Sequence, residues 1–434
     1  MEVARSIKLS TNESAVVEFY PDELPADVDD LEQVLQSLWA PLSTWHSCAL
    51  EYYRQGMFPE FEHVLSEVNE AINSSEVDTD VLQRYKEMSH FNEGNLLIIQ
   101  TLAADVVMKY NRPLNSDKEN KALAEKFSQY IQQLLRIDHF NLVTSLLRGF
   151  FSIKEREFKK ALTYFRTVEA SKSAKNFRQC LFASYLGHGT IEYFNKHFND
   201  ALKFFTSAIE LYPDSPCGVR VAFAVCCFEL QQFDRARAAI DRALYIDPTS
   251  VDALLMLALL ERVDAHKFKA RRAEHYANAY EYCMLVANMD KGNAMAWNHI
   301  AQYLFFSWKL VSESASIQDP TTLVMTIVGE SNLAVGDIVR IGGGDFSARV
   351  KEMVRQGPSS ISITLNQPLP SELPRNHSKL RIECKELTYI KTILMKALKC
   401  SRVSEVNAES SYLLGRLFQY IGNLDTAVKH FEVR

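Results

Sequence analysis

The stretch from Gly189 to Pro248 says the same thing twice. Gly189, Phe198, Ala201, Phe205, Ala208 and Pro213 recur as Ala224, Phe233, Ala236, Ile240, Ala243 and Pro248, each pair 35 residues apart. The residue types explain the period. Small residues let two helices cross closely, an aromatic ring wedges between them, and proline stops the second helix because it cannot continue one. A single hairpin of this kind cannot bury its apolar face alone, so copies must stack.

A period near 34 with this order of small, aromatic and proline positions is the mark of the tetratricopeptide repeat. The expected fold is therefore an all-α, right-handed superhelical solenoid. Other units are more worn. One opens at Trp45 with Cys48, Ala49, Tyr52, Gly56, Phe61 and Leu65. Asn73 to Arg136 is divergent but helical, with Leu102–Ala103 as a small-residue pair and a polar loop at Asn111–Asn120 holding Pro113. Gly149, Phe158, Ala161 and Phe165 restore the pattern. A unit starting near Val251 is interrupted by AHKFKARRAEH at 265–275 before its second helix. Trp297, Ile300, Ala301 and Leu304 begin another, whose first helix ends near Leu310 and whose second starts only after Leu387. Leu414, Gly415, Phe418, Gly422, Ala427 and Phe431 form a last unit; the chain stops inside its second helix, as a fragment of a longer array would.

Residues 318–387 change character. Leu323, Met325 and Ile327 alternate with polar or outward positions, as do Phe346, Ala348 and Val350, Ile361, Ile363 and Leu365, and Leu380, Ile382 and Cys384. Alternation of period two marks half-buried strands, and Gly342–Gly344 and Gln356–Pro358 supply turns. With Asp337–Ile341, five strands predict a small SH3-like barrel. A hairpin loop accommodates such an insert cheaply, since closure entropy rises only ~0.6 kcal/mol per doubling of length. The organisation expected is an acidic arm and lead-in helix (1–40), a repeat array (41–317), the inserted barrel (318–387) and the array resumed (388–434).

Charge separates the arm from the rest. Residues 1–40 hold nine acidic and two basic side chains, whereas the remainder holds 45 and 46. In the arm, Val16, Val17, Phe19 and Tyr20 favour extended chain, Pro21 and Pro25 hold it so, and a helix is expected from Asp29 to Ala40, broken by Pro41. A near-neutral array gives weak support for nucleic acid as main partner. No apolar run approaches the ~18 residues of a membrane span. The eight cysteines form no CxxC pair, which favours buried thiols over a disulfide frame or zinc site. No nucleophile–base, metalloprotease or nucleotide-loop signature occurs, and the eleven histidines stand singly; neither catalysis, cofactor nor metal is expected.

Repeat register points to a partner-binding groove instead. Eight residues past each tryptophan-type position stand Tyr53, Tyr193, Phe228 and Phe305, with Arg54, Phe194, Glu229 and Phe306 beside them. Aromatic side chains bury roughly 150–250 Å² each and would clamp an extended peptide, or else pack against neighbouring helices. Groove positions that carry lysine and asparagine in a carboxylate clamp read Leu186, Thr190, Val221 and Val225, against a co-chaperone role. Lys267, Lys269, Arg271 and Arg272 form the dense positive run, a solvated face or a contact for phosphate or acidic chain.

The ends carry more specific wording. LPADVDDLEQVL at 24–35, Trp45, ALEYYRQG at 49–56, NHIAQYLFF at 298–306 and AESSYLLGR at 408–416 resemble the large tetratricopeptide scaffold subunit of the RNA polymerase II-associated factor complex. The chain departs from that family at Met57–Arg136 and at 318–387, where the family has a short turn. The resemblance implies a nuclear, non-enzymatic scaffold whose repeats hold the polymerase-associated factor subunit and the parafibromin-like subunit, and through them RNA polymerase II, in transcription elongation and linked histone modification. A nucleic-acid adaptor built on the insert and the basic run, or the regulatory array of a larger enzyme, is the alternative.

Overall fold

A computed structural model describes residues 7–10, 16–19, 24–25, 28–73, 83, 85–87, 90–110, 112, 115–171, 177–328, 332–341, 346–357, 360–370, 380–401 and 403–432. Tyr20, Pro21, Pro113, the Gly342–Gly344 turn and Pro358 lie outside them. The chain divides into two compact units, Met1–Ser215 and Pro216–Arg434.

The first unit opens with an antiparallel hairpin, β1 (Ile7–Ser10) and β2 (Val16–Phe19), paired from Ile7↔Phe19 to Ser10↔Val16. Helix α1 (Val28–Ser37) follows, and Pro41 precedes the next helix. Four helical hairpins come after it. They are α2 (Leu42–Arg54) with α3 (Phe58–Asn73), α4 (Phe91–Lys109) with α5 (Asp117–Ile137), α6 (Leu142–Lys154) with α7 (Phe158–Ala170), and α8 (Arg178–Phe194) with α9 (Phe198–Leu211). The first helices of successive hairpins pack on one another. Trp45, Tyr52 and Phe165 are among the largest side chains buried completely. At Gly187 an added Cβ would stand 2.2 Å from Cζ of Phe165, so the ring needs a residue without a side chain.

The second unit contains α10 (Cys217–Glu229), α11 (Phe233–Ile246), α12 (Val251–Lys267), a single 3₁₀ turn (Lys269–Arg271), α13 (Arg272–Met289), α14 (Ala294–Phe306), α15 (Leu387–Cys400), α16 (Ser404–Ile421) and α17 (Leu424–Phe431). The 265–275 segment does not interrupt the hairpin. It lengthens both helices and turns between them. Helix α14 ends at Phe306, short of Leu310, because the backbone at Leu310 is already strand.

One turn recurs where the first helix gives way to the second. Gly56, Arg156, Lys196, Gln231 and Gly422 all have positive φ, from 59° to 89°. The amide that follows each donates to a carbonyl five residues back: Met57 to Tyr52, Glu157 to Ser152, His197 to Glu192, Gln232 to Cys227 and Asn423 to Phe418. This Schellman geometry satisfies carbonyls that the helix end would otherwise orphan.

Between α14 and α15 the described residues form seven antiparallel strands: β3 (Lys309–Ser312), β4 (Ser314–Asp319), β5 (Thr322–Thr326), β6 (Ile338–Ile341), β7 (Ser347–Arg355), β8 (Ser360–Leu365) and β9 (Ile382–Lys385). Their order is β3-β9-β6-β7-β8-β5-β4. All five expected strands are present, and their alternating residues, Leu323, Met325, Val339, Val350, Ile363 and Ile382 among them, form one core. The expected SH3-like barrel does not close. The sheet is open, because the two unforeseen strands, β3 and β4, attach to opposite edges instead of bridging them. Single bonds, Val328 N–H to Val311 O and the Ser312 hydroxyl to Thr326 O, tie β3 to the end of β5 without a ladder.

Candidate partner-binding cavity

The register-derived aromatics fall at the ends of first helices. Tyr53 meets Phe58 with ring centroids 5.2 Å apart, Tyr193 meets Phe198 at 5.5 Å, and Phe228 meets Phe233 at 5.4 Å. Each partner is the first residue of the following helix, so these rings pack across their own turn. Arg54 pairs with Glu51 at 3.0 Å, Glu229 is exposed, and Phe194, itself exposed, stacks on Phe158 of the preceding hairpin at 5.6 Å. Phe305 contacts Phe306 and Tyr420. Phe306 is 60% exposed and opens onto a cavity.

That cavity, about 650 Å³, lies wholly in the second unit. Helix periodicity builds its walls. Residues three and four apart share a face, so α12 contributes Arg262 and His266, α13 contributes Arg272, Tyr276, Ala279, Tyr280 and Cys283, α14 contributes His299, Gln302, Tyr303 and Phe306, and α16 contributes Arg416. Of the basic run, only Arg272 lines it; Lys269 and Arg271 edge a separate depression with Phe268 and His275, and Lys267 lies over the Phe268 ring. The basic run thus led to one wall and the aromatic register to another. Arg262, His299 and Arg416 carry no local signal of their role; only the fold assembles them.

Among the described residues no carboxylate lines the cavity. The guanidinium of Arg262 donates to Nδ1 of His299 at 2.6 Å. Burial and the Arg262 charge push His299 down to about 4, so at neutral pH the ring is an uncharged acceptor. Arg416 lies over Phe305 and Phe306, at 5.6 and 5.5 Å. Arg272 lies over Tyr276 at 5.8 Å. Tyr280 and Tyr303 stack at 4.5 Å. Rings and a neutral imidazole hold these cations, leaving hydrogen-bonding edges of the guanidinium groups for a ligand.

The acids of α12 face elsewhere. Glu261 and Asp264 take Arg237 at 2.9 and 2.6 Å, and His275 bonds Glu261 at 2.7 Å. This His–carboxylate group resembles metal-ligand spacing, but a guanidinium already neutralises it. Asp29, Glu32 and His63 form a second such group in the first unit, with His63 3.8 and 3.7 Å from the carboxylates.

Comparison with known proteins bears on what such a chain is. The tetratricopeptide-repeat family profile matches residues 195–260. The chain is 27% identical to the protein CTR9 homolog of Arabidopsis thaliana over 293 residues, 66% of this chain and 24% of that protein. It is 23% identical to the RNA polymerase-associated protein CTR9 of Caenorhabditis elegans over 322 residues, 71% of this chain and 26% of that one. The chain is a tetratricopeptide-repeat protein distantly related to CTR9. It spans about a quarter of the length of these relatives. A solved tetratricopeptide repeat protein from Parabacteroides merdae superposes with a TM-score of 0.40 at 13% identity, covering 64% of this chain and 91% of that one. Among the described residues no helix is long and apolar enough to cross a membrane.

Proposed function

We propose that the chain is a non-catalytic nuclear scaffold that holds segments of partner subunits in an RNA polymerase II-associated complex. The observation that carries this reading is the extent of its likeness to CTR9 proteins, about two thirds of the chain, joined to repeats whose usual work is binding other polypeptides. Affinity purification of the tagged full-length protein, with partners identified by mass, should enrich polymerase-associated subunits; purification that returns none of them ends the reading.

The helix-end aromatics form a second contact surface in this proposal. Phe194 is 55% exposed, and Phe228 is half-buried, with part of its surface accessible. Replacing both by alanine should weaken capture of partner segments without lowering helicity. Calorimetry that finds affinity unchanged removes these positions from the groove.

A further inference from the structure

We propose that the cavity between α12, α13, α14 and α16 is a receptor for a phosphate dianion carried on a partner polypeptide. The inference rests on the scaffold reading and names the chemistry one of its sites would accept. Among the described residues, three arginines and no carboxylate line a single cavity of about 650 Å³, a size typical of pockets that enclose a small ligand. Uncompensated charge in a partly desolvated site calls for an anion. Elsewhere in this unit some cations meet acids, Arg237 with Glu261 and Asp264, Arg381 with Glu383 and Lys309 with Glu386, and others rest singly on rings, as Arg242 does on Tyr245 and Lys396 on Trp297. The cavity differs in gathering three arginines, set on rings and on a neutral histidine, at one place.

A phosphate ester suits this set better than a carboxylate. It brings close to two negative charges and three acceptor oxygens to one point, and guanidinium forks recognise such oxygens in bidentate fashion. A glutamate or aspartate brings one charge. Gln302 adds a neutral donor, and the stacked Tyr280–Tyr303 pair offers an apolar wall for a flanking side chain. A polypeptide carrier fits better than nucleic acid because residues 41–434 hold nearly equal acidic and basic charge, 45 against 46. A polyphosphate backbone is bound by an extended positive field, whereas here half-buried Arg262 and Arg416 and the exposed Arg272 converge on one cavity.

The test uses the whole chain at constant ionic strength. Inorganic phosphate, titrated by calorimetry, should bind saturably and more tightly than acetate. Arg262→Gln and Arg416→Gln should each weaken it by about tenfold or more, the loss expected for a charged hydrogen bond. Arg416→Lys keeps the charge without the fork and should fall between. Arg242→Gln, which removes an arginine stacked on Tyr245 away from the cavity, should leave binding unchanged, and thermal melts establish that each variant folds. A degenerate peptide pool with a central phosphoserine should then be retained over its serine and glutamate counterparts and over a 5′-phosphorylated oligonucleotide. Absence of saturable phosphate binding, equal affinity for acetate, indifference to both glutamine variants, or preference for the oligonucleotide each overturns the proposal. If phosphate fails to bind while tagged protein still purifies with polymerase-associated subunits, the scaffold reading survives alone.

Discussion

The hairpin α8–α9 and the hairpin α14–α15 solve one problem in two ways. In the first, the helix gives way at Lys196, which adopts φ 64°, and the His197 amide returns to Glu192. A tight turn sets the crossing. In the second, a seven-stranded sheet stands where the turn would be. The chain leaves through β3 and comes back through β9, and these two strands pair, Lys309 opposite Cys384. The departing and returning segments are therefore neighbours, and the helices still pack in one core.

The insert also caps the start of the returning helix. Asp337, fully buried, accepts from the amides of Thr388 at the start of α15 and of Ala334, both at 2.8 Å. Glu386 accepts from the Asn332 amide at 2.9 Å. The ammonium of Lys385 lies 5.1 to 5.6 Å from the rings of Trp308, Tyr420 and Phe305, and burial followed by the Arg340 charge lowers its pKa. Repeat packing thus depends on where the chain re-enters, and much less on what it does in between.

The strongest way to break the turn-closed side is Gly187→Val. Even a bare Cβ at this position would stand 2.2 Å from Cζ of Phe165, so overpacking should cost about 3 kcal/mol in urea unfolding. Gly218→Ala, where nothing lies within 4 Å, should be neutral or slightly stabilising. On the sheet-closed side, pH acts through His299. Its folded pKa of about 4 lies below the ordinary 6.5, so the unfolded chain takes up the proton first as pH falls. Stability should drop between pH 6.5 and 4, by on the order of 2 kcal/mol once cavity water is allowed for. The pH dependence of denaturation across that window should flatten for His299→Gln. If it does not, His299 is not buried beside the Arg262 charge in solution.

Smaller effects probe the staples. Asp337→Ala removes the acceptor of two part-buried amide hydrogen bonds and should cost about 1–2 kcal/mol, with faster hydrogen exchange at Thr388. Unchanged exchange there would mean the sheet does not cap α15. Lys385→Met, which keeps length and loses charge, should cost about 1 kcal/mol or less. A larger loss would make the ring cluster, more than the β3–β9 ladder, the anchor of the insert.

Much of this was legible in the chain. The 35-residue recurrence of small and aromatic residues specifies close-packed hairpins because only those types fit where helices cross. Four strands of the insert announced themselves by alternation, and Asp337–Ile341 made the fifth. The other two did not: KLVS and SASIQD carry few β-branched residues, and their place at opposite sheet edges is a long-range choice. The register that selected Tyr53, Tyr193 and Phe228 places them at helix ends but does not pair them with Phe58, Phe198 and Phe233, the rings that receive them.

Local pattern determined the repeats, their turns and most of the strands, since each follows from spacing within a few residues. Tertiary structure alone decided that the sheet stays open and that Arg262, Arg272, His299 and Arg416 share one cavity lined, among the described residues, by no carboxylate. Those residues stand on four helices, the last beyond the whole insert. Which face each helix turns inward depends on the packing of the others, and no stretch of sequence contains that information.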